Sequence, residues 1–227
     1  MWLIKNLIFV FYSMFWASFT LISAPFNYKY KIGHFILKNW TKGGLLIYGI
    51  KLNVTGNGNI EKDKGYVYVS NHSSYLDILV IFAGVKDNIR MVYKREISRI
   101  PIFGWAMLAC GFIPINRENI RSAMKSLAKG AEKVKKGLSV LIFPEGTRSL
   151  DGKTDEFRRG MFVLAEKSGA EIIPLSITGT FDLLPRNSSR IKNGKVNIVI
   201  GKPIKYRRDK QFAVELREIV IANMKNV

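Results

Sequence analysis

Hydrophobic residues run unbroken near the start of the chain, then take up a helical period, then break into short blocks. Leu7 to Phe26 reads LIFVFYSMFWASFTLISAPF, twenty residues with no charge, five Phe and one Trp. As a helix this run is about 30 Å long, enough to cross a hydrocarbon core. A signal peptide is the rival reading. Only Lys5 forms its basic flank, the apolar run is longer than such peptides use, and the cleavage site ending at Ala24 is poor, so a retained anchor is expected. Past Asn27 the pattern becomes amphipathic. At about 100° per residue Ile32, Phe35, Ile36 and Trp40 share one face, with Lys31, Lys38 and Lys42 on its flank. This predicts a helix in the membrane interface with lysines at the headgroups, the alternative being a surface helix packed on its own domain. The sequence leaves open whether the first segment spans the bilayer or dips into one leaflet. Either way, the lysines at 29, 31, 38, 42 and 51 predict that the rest lies on the cytoplasmic face of the membrane.

The remainder alternates strands with helices. Tyr66 to Ser70, Ile89 to Tyr93, Phe112 to Ile115, Leu138 to Phe143, Ile172 to Ile177 and Val196 to Ile200 are apolar runs of strand length. Met124, Leu127, Ala128 and Ala131 follow helical spacing, with Gly137 as the stop. Phe162 to Lys167, ended by Gly169, and the face Phe212, Leu216, Ile219, Val220 predict two more helices. The alternation predicts an α/β fold with a mostly parallel central sheet flanked by helices. Residues 1–52 are expected to form the membrane-anchoring helices and 53–227 the α/β domain, with 53–64 and 186–195 as candidate linkers.

Charge changes the picture of partners. Thirty-six Lys and Arg against seventeen Asp and Glu leave a net +19, which calls for a polyanion: nucleic acid or an anionic membrane. The basic residues are scattered in ones and twos, with no basic arm, zinc-ligand set or RNA-binding aromatic motif, so anionic membrane lipids are expected and nucleic acid is not. The lone cysteine, Cys110, sits in an apolar run that suits a buried, unreactive thiol. His34, between Gly33 and Phe35, reads as a packing or interfacial histidine.

Candidate chemistry gathers after the predicted strands, where α/β proteins place ligands. Asn71-His72-Ser73-Ser74-Tyr75-Leu76-Asp77 follows the first of them. His72 and Asp77 would lie about 140° apart on one helix, so they meet only if His72 is in the loop and Asp77 in the first turn, with Ser73 or Ser74 capping. So placed, Asp77 could hold the imidazole in the tautomer whose other nitrogen accepts a proton. Pro144-Glu145-Gly146-Thr147-Arg148-Ser149 follows another strand and offers a flexible Gly and a planar donor for phosphate. Phe112 to Arg117 delivers a second arginine. Pro101 to Trp105 could line an acyl groove or simply pack.

In these motifs the chain resembles the glycerolipid acyltransferase family. Asn71, His72 and Asp77 match its Asn-His-x-x-x-x-Asp motif, and Phe143 to Ser149 its Phe-Pro-Glu-Gly-Thr-Arg-Ser motif. Phe112 to Arg117 resembles the second motif, with Asn116 where members often carry Asp, and Ile172 to Leu175 the fourth. Tyr93 to Ile97 and Phe157 to Gly160 resemble two lesser signatures. The resemblance implies transfer of a fatty acyl group from acyl-CoA or acyl carrier protein to a lysophospholipid acceptor, best lysophosphatidic acid, in phospholipid biosynthesis. It implies His72 as general base and Asp77 as its orienting partner. Lys94, Arg117, Glu145, Gly146, Thr147 and Arg148 would bind substrate, with no metal and no cofactor beyond the acyl thioester. Other readings are another acceptor, such as glycerol 3-phosphate, a lyso-aminolipid or a different lysophospholipid, or a non-enzymatic basic membrane-binding protein.

Overall fold

The structure is a computed structural model that describes residues 2–27, 30–209 and 211–225. Lys29, counted above among the basic residues after the anchor, lies outside the described residues. Two helices open the chain, α1 (Trp2–Ser23) and α2 (Lys31–Tyr48). Strands β1 (Ile50–Thr55), β2 (Val67–Ser70), β3 (Ile89–Lys94), β4 (Ile113–Ile115), β5 (Ser139–Ile142), β6 (Ile172–Thr178) and β7 (Gly194–Ile200) follow. They alternate with α3 (Leu76–Gly84), α4 (Phe103–Ala109), α5 (Ile120–Lys135), α6 (Val163–Ser168), the single turn α7 (Thr180–Leu183) and α8 (Phe212–Lys225).

The strands form one sheet in the order β1-β7-β6-β2-β5-β3-β4. Five strands from β6 to β4 are mutually parallel, while β7 meets β6 antiparallel and β1 parallels β7. The expected mostly parallel sheet is therefore present. Alternation along the central strands splits the core into two layers, because successive side chains leave opposite faces. Tyr68, Leu141, Ile173 and Leu175 join Leu45, Leu76 and Leu79 on the face covered by α2 and α3. Val67, Val69, Val140, Ile142 and Ile172 join Leu127, Leu164 and Leu216 under α5, α6 and α8.

Three local expectations change. Residues 53–55, assigned to a linker, complete β1, whose Ile50 pairs with Gly194 and Thr55 with Val199. Its polar alternates Lys51, Asn53 and Thr55 face outward at the sheet edge, which hid the strand among turn-forming residues. The second candidate linker likewise ends early, since Gly194 and Lys195 already belong to β7. The buried stripe of α2 is Gly33, Ile36, Leu37, Thr41, Gly44, Leu45 and Tyr48, and Phe35 is 60% exposed, so the helix packs on the domain.

Helix α1 lies against α2 at close range. A Cβ added to Gly43 would fall 2.0 Å from the Tyr12 hydroxyl, so any other residue would have to displace the Tyr12 ring. Phe9 stacks on Trp40 with ring centroids 5.8 Å apart, and Trp40 Nε1 donates to Ser13 Oγ at 2.9 Å. Near its start, Asn6 Nδ2 donates to Ser189 O at 3.0 Å, and Tyr48 donates to Asn6 Oδ1 at 3.1 Å. Just past its end, Asn27 Nδ2 donates to Ala109 O at 3.3 Å. Its outer side exposes Leu3, Leu7, Phe11, Phe15 and Phe19, a four-residue repeat that forms one helical stripe. His34 packs beside Arg90 and Lys38; burial, aided by these two charges, pushes its imidazole down to about 4 and keeps it neutral.

Candidate active site

β2 ends beneath a loop that is held at every turn. The Asn71 side chain binds both backbone groups of Ile177, donating to its oxygen at 3.0 Å and accepting its N–H at 2.9 Å. This fixes the loop to β6 and delivers His72 to the sheet end. Asp77, in the first turn of α3, is fully buried and turns Oδ2 back toward the loop. That oxygen accepts from His72 Nδ1 at 2.8 Å, Ser73 N at 2.8 Å and Ser74 N at 2.9 Å. With a carboxylate as acceptor, Nδ1 carries the hydrogen and Nε2 is left as the basic nitrogen. The imidazole stacks on Phe143, ring centroids 3.9 Å apart.

Serine capping takes a different form from the one expected. Tyr75 occupies the cap position of α3, and the Asp77 carboxylate gathers the Ser73 and Ser74 N–H groups. Ser73 Oγ pairs with Thr180 Oγ1 at 3.2 Å. Ser74 Oγ donates to Leu184 O at 2.8 Å and accepts from Leu76 N at 3.1 Å. Both hydroxyls are occupied.

The loop after β5 folds against the first. Ser149 N donates to His72 O at 2.8 Å. Glu145, buried, accepts His72 N at 2.6 Å on Oε1 and Asp155 N at 3.1 Å on Oε2. Burial pushes its carboxyl up to about 8, against the pull of those two N–H groups. Gly146 turns the chain with φ +77°, a conformation that disfavours any side chain, and a Cβ there would meet the Arg158 guanidinium at 3.4 Å. Arg117 Nη1 donates to Gly146 O at 2.6 Å. Burial, opposed by Glu96 and assisted by Arg158, holds the Arg117 guanidinium below its usual value.

The substrate-binding set named from the sequence therefore divides. Arg117, with Arg158 beside Gly146, forms one basic group. Arg148 turns elsewhere, its guanidinium 3.5 Å from the Tyr75 ring centroid. Thr147 is half-buried between the two, and Lys94, half-exposed at the end of β3, lies 3.9 Å from Glu96. Phe143, Tyr75 and Arg158 join the site beyond the residues expected there. Arg158 stood in the noted run Phe157 to Gly160, so only that local signal could have raised it. Among the described residues no group of three or more His, Cys, Asp and Glu could hold a metal ion.

An apolar cavity of about 330 Å³ opens beside this site, lined among others by Trp16, Trp40, Tyr75, Leu76, Met91 and Phe103. It lies among α1, α2, α3 and α4, and Tyr75 belongs both to it and to the Arg148 contact. Cys110 is on its wall, where burial raises the thiol pKa.

Residues 51–178 match the family model described as Acyltransferase. The chain belongs to the acyltransferase family. It is 38% identical over 209 residues to a chloroplastic 1-acyl-sn-glycerol-3-phosphate acyltransferase of Arabidopsis thaliana, covering 91% of this chain and 57% of that protein. To the 1-acyl-sn-glycerol-3-phosphate acyltransferase of Pseudomonas aeruginosa it is 33% identical over 194 residues, 82% of this chain and 73% of the relative. The crystal structure of the 1-acyl-sn-glycerophosphate (LPA) acyltransferase of Thermotoga maritima superposes with a TM-score of 0.82 at 26% identity, covering 99% of this chain and 96% of that one. The chain thus spans little more than half the length of its Arabidopsis relative. Within the acyltransferase match fall His72, Asp77, Lys94, Arg117, Glu145 and Arg148; outside it fall α1, α2 and the stretch from Gly179 onward.

Proposed function

We propose that this acyltransferase moves a fatty acyl group from an acyl thioester to the sn-2 hydroxyl of lysophosphatidic acid, forming phosphatidic acid. The observation that carries the reading is the His72–Asp77 bond of 2.8 Å, at a sheet end shared with arginines and an apolar cavity. His72 Nε2 takes the proton of the acceptor hydroxyl as its oxygen attacks the thioester carbonyl carbon. The C–O bond forms, the C–S bond breaks, and the thiolate leaves with the proton returned from the imidazolium. Positioned proton transfer of this kind is worth about 10²–10⁴-fold. The guanidiniums bind the acceptor phosphate, and the cavity takes an acyl chain. The donor is acyl-CoA or acyl carrier protein, and the reaction uses no further cofactor.

The membrane role follows from how α1 is held. By length and composition Trp2–Phe26 could cross a bilayer. Yet Asn6 near one end and Asn27 beyond the other both bond to the same α/β unit. A helix tethered to one body at both ends lies along one leaflet, with the stripe from Leu3 to Phe19 in lipid. The excess of lysine and arginine favours anionic lipids on the cytoplasmic face.

The test is thiol release by the purified chain in vesicles, with acyl-CoA or acyl carrier protein as donor. Release that depends on lysophosphatidic acid and yields phosphatidic acid supports the reading. Release independent of any acceptor, or none with either donor, removes it.

A further inference from the structure

Arg186 lies in the polar stretch between α7 and β7, outside the motifs and outside the matched residues 51–178. Its loop is fixed at three points. Leu184 O accepts Ser74 Oγ at 2.8 Å, next to the His72 loop. Leu184 and Ile191 line the apolar cavity. Ser189 O accepts Asn6 Nδ2 of α1 at 3.0 Å. The loop therefore meets the site, the cavity and the lipid-facing helix together.

In this setting two arginines brace each other. Arg186 Nη1 donates to Arg148 O at 2.9 Å, and Arg148 Nη1 donates to Arg186 O at 3.4 Å. The Tyr75 ring holds the Arg148 guanidinium from another side, 3.5 Å from its centroid. Both arginines are half-buried, and among the described residues neither forms an ion pair with a carboxylate. Each guanidinium sits at the other residue's backbone carbonyl, and the N–H groups left over suit a ligand carrying two negative charges.

The geometry points to Arg186 as the second guanidinium of a two-arginine clamp, with Arg148, for the phosphate monoester of the lysolipid acceptor. This rests on the acyltransferase reading above. The acceptor phosphate is one methylene from the carbon bearing the reacting hydroxyl, so it binds close to His72. Arg148 meets that condition, because the N–H of the next residue, Ser149, is bonded to His72 O at 2.8 Å. A phosphate of the donor lies at the far end of its long pantetheine arm, away from the thioester. The contact with α1 also places the clamp where a lipid leaves the bilayer.

The test is equilibrium binding to the full chain in neutral detergent micelles, using lysophosphatidic acid, the matching phosphate-free monoacylglycerol, and CoA. Wild type prefers the phosphate-bearing lipid. Arg186→Gln narrows that preference by about ten- to a hundredfold, the range for losing a hydrogen bond to a charged group. Arg186→Lys restores part of it, and Arg190→Gln, on the same loop and exposed, leaves it unchanged. Monoacylglycerol and CoA affinities stay at wild-type values, which a general disturbance of the site would not allow. An undiminished preference in Arg186→Gln, an equal loss for both lipids, or a loss confined to CoA overturns the clamp. If the clamp is found but no acyl transfer follows, the proposed reaction fails and the phosphate site stands.

Discussion

Glu145 holds His72 by its backbone: the His72 N–H donates to Glu145 Oε1 at 2.6 Å, and Oε2 takes the N–H of Asp155 at 3.1 Å. The carboxyl thus joins the loop that carries His72 to the segment that carries Asp155. Both of its oxygens face backbone donors, so its part in this account is to position His72. The Asp77 carboxylate works on the same loop from α3, and together the two acids set the imidazole against Phe143.

Glu145 gives the fold a proton-linked term. Its carboxyl titrates near 4.5 when exposed and at about 8 when folded. Between those values the folded chain holds a proton that the unfolded chain has lost. The contribution is full below about 4.5, falls as pH rises, and is gone above about 8. Glu145→Gln removes this slope. Urea unfolding at pH 5 and pH 9 should show wild type losing stability relative to the variant, by on the order of a few kcal/mol. Parallel pH dependences would rule out the linkage.

Membrane attachment should depend on the exposed stripe of α1. Leu7, Phe11 and Phe15 are each more than half exposed, and burying one such side chain is worth about 1.5–3 kcal/mol. Replacing all three by Ser should weaken vesicle binding by about a hundredfold or more, while far-ultraviolet circular dichroism stays unchanged. Undiminished binding by the triple variant would place the lipid contact elsewhere.

The first motif was legible because its residues are local: His72, Ser73, Ser74 and Asp77 lie within one loop and one helical turn. The apolar runs that gave β2, β3, β5 and β6 were equally local, although β3 also buries Arg90 and β6 Ser176. β1 was hidden because an edge strand keeps polar residues on its open side, as Lys51, Asn53 and Thr55 show. The buried face of α2 depended on which partners it meets, Phe9 and Tyr12 of α1 among them. The arginine groups needed tertiary structure. Arg148 and Arg186 are 38 residues apart, Arg117 and Gly146 29 apart, and no spacing rule joins them.

Transfer should proceed directly between the substrates. Cys110 is buried, its thiol pKa is raised by that burial, and the hydroxyls of Ser73 and Ser74 are already bonded. Cys110→Ala should keep most activity, and initial rates with both substrates varied should give intersecting lines. Incubation with acyl donor alone should leave the protein mass unchanged. An acyl adduct that is discharged by acceptor would replace direct transfer with a two-step mechanism.

The proposed transfer rests on His72 as the base and Asp77 as its orienting partner. Single-turnover thiol release with saturating donor and lysophosphatidic acid tests it most directly, because product departure does not enter. His72→Ala should slow this step by about 10²–10⁴-fold with a wild-type thermal midpoint. Asp77→Asn should also slow it, since an amide cannot hold the Nδ1–H tautomer as a carboxylate does. A folded His72→Ala chain that transfers the acyl group at the wild-type rate would contradict the account.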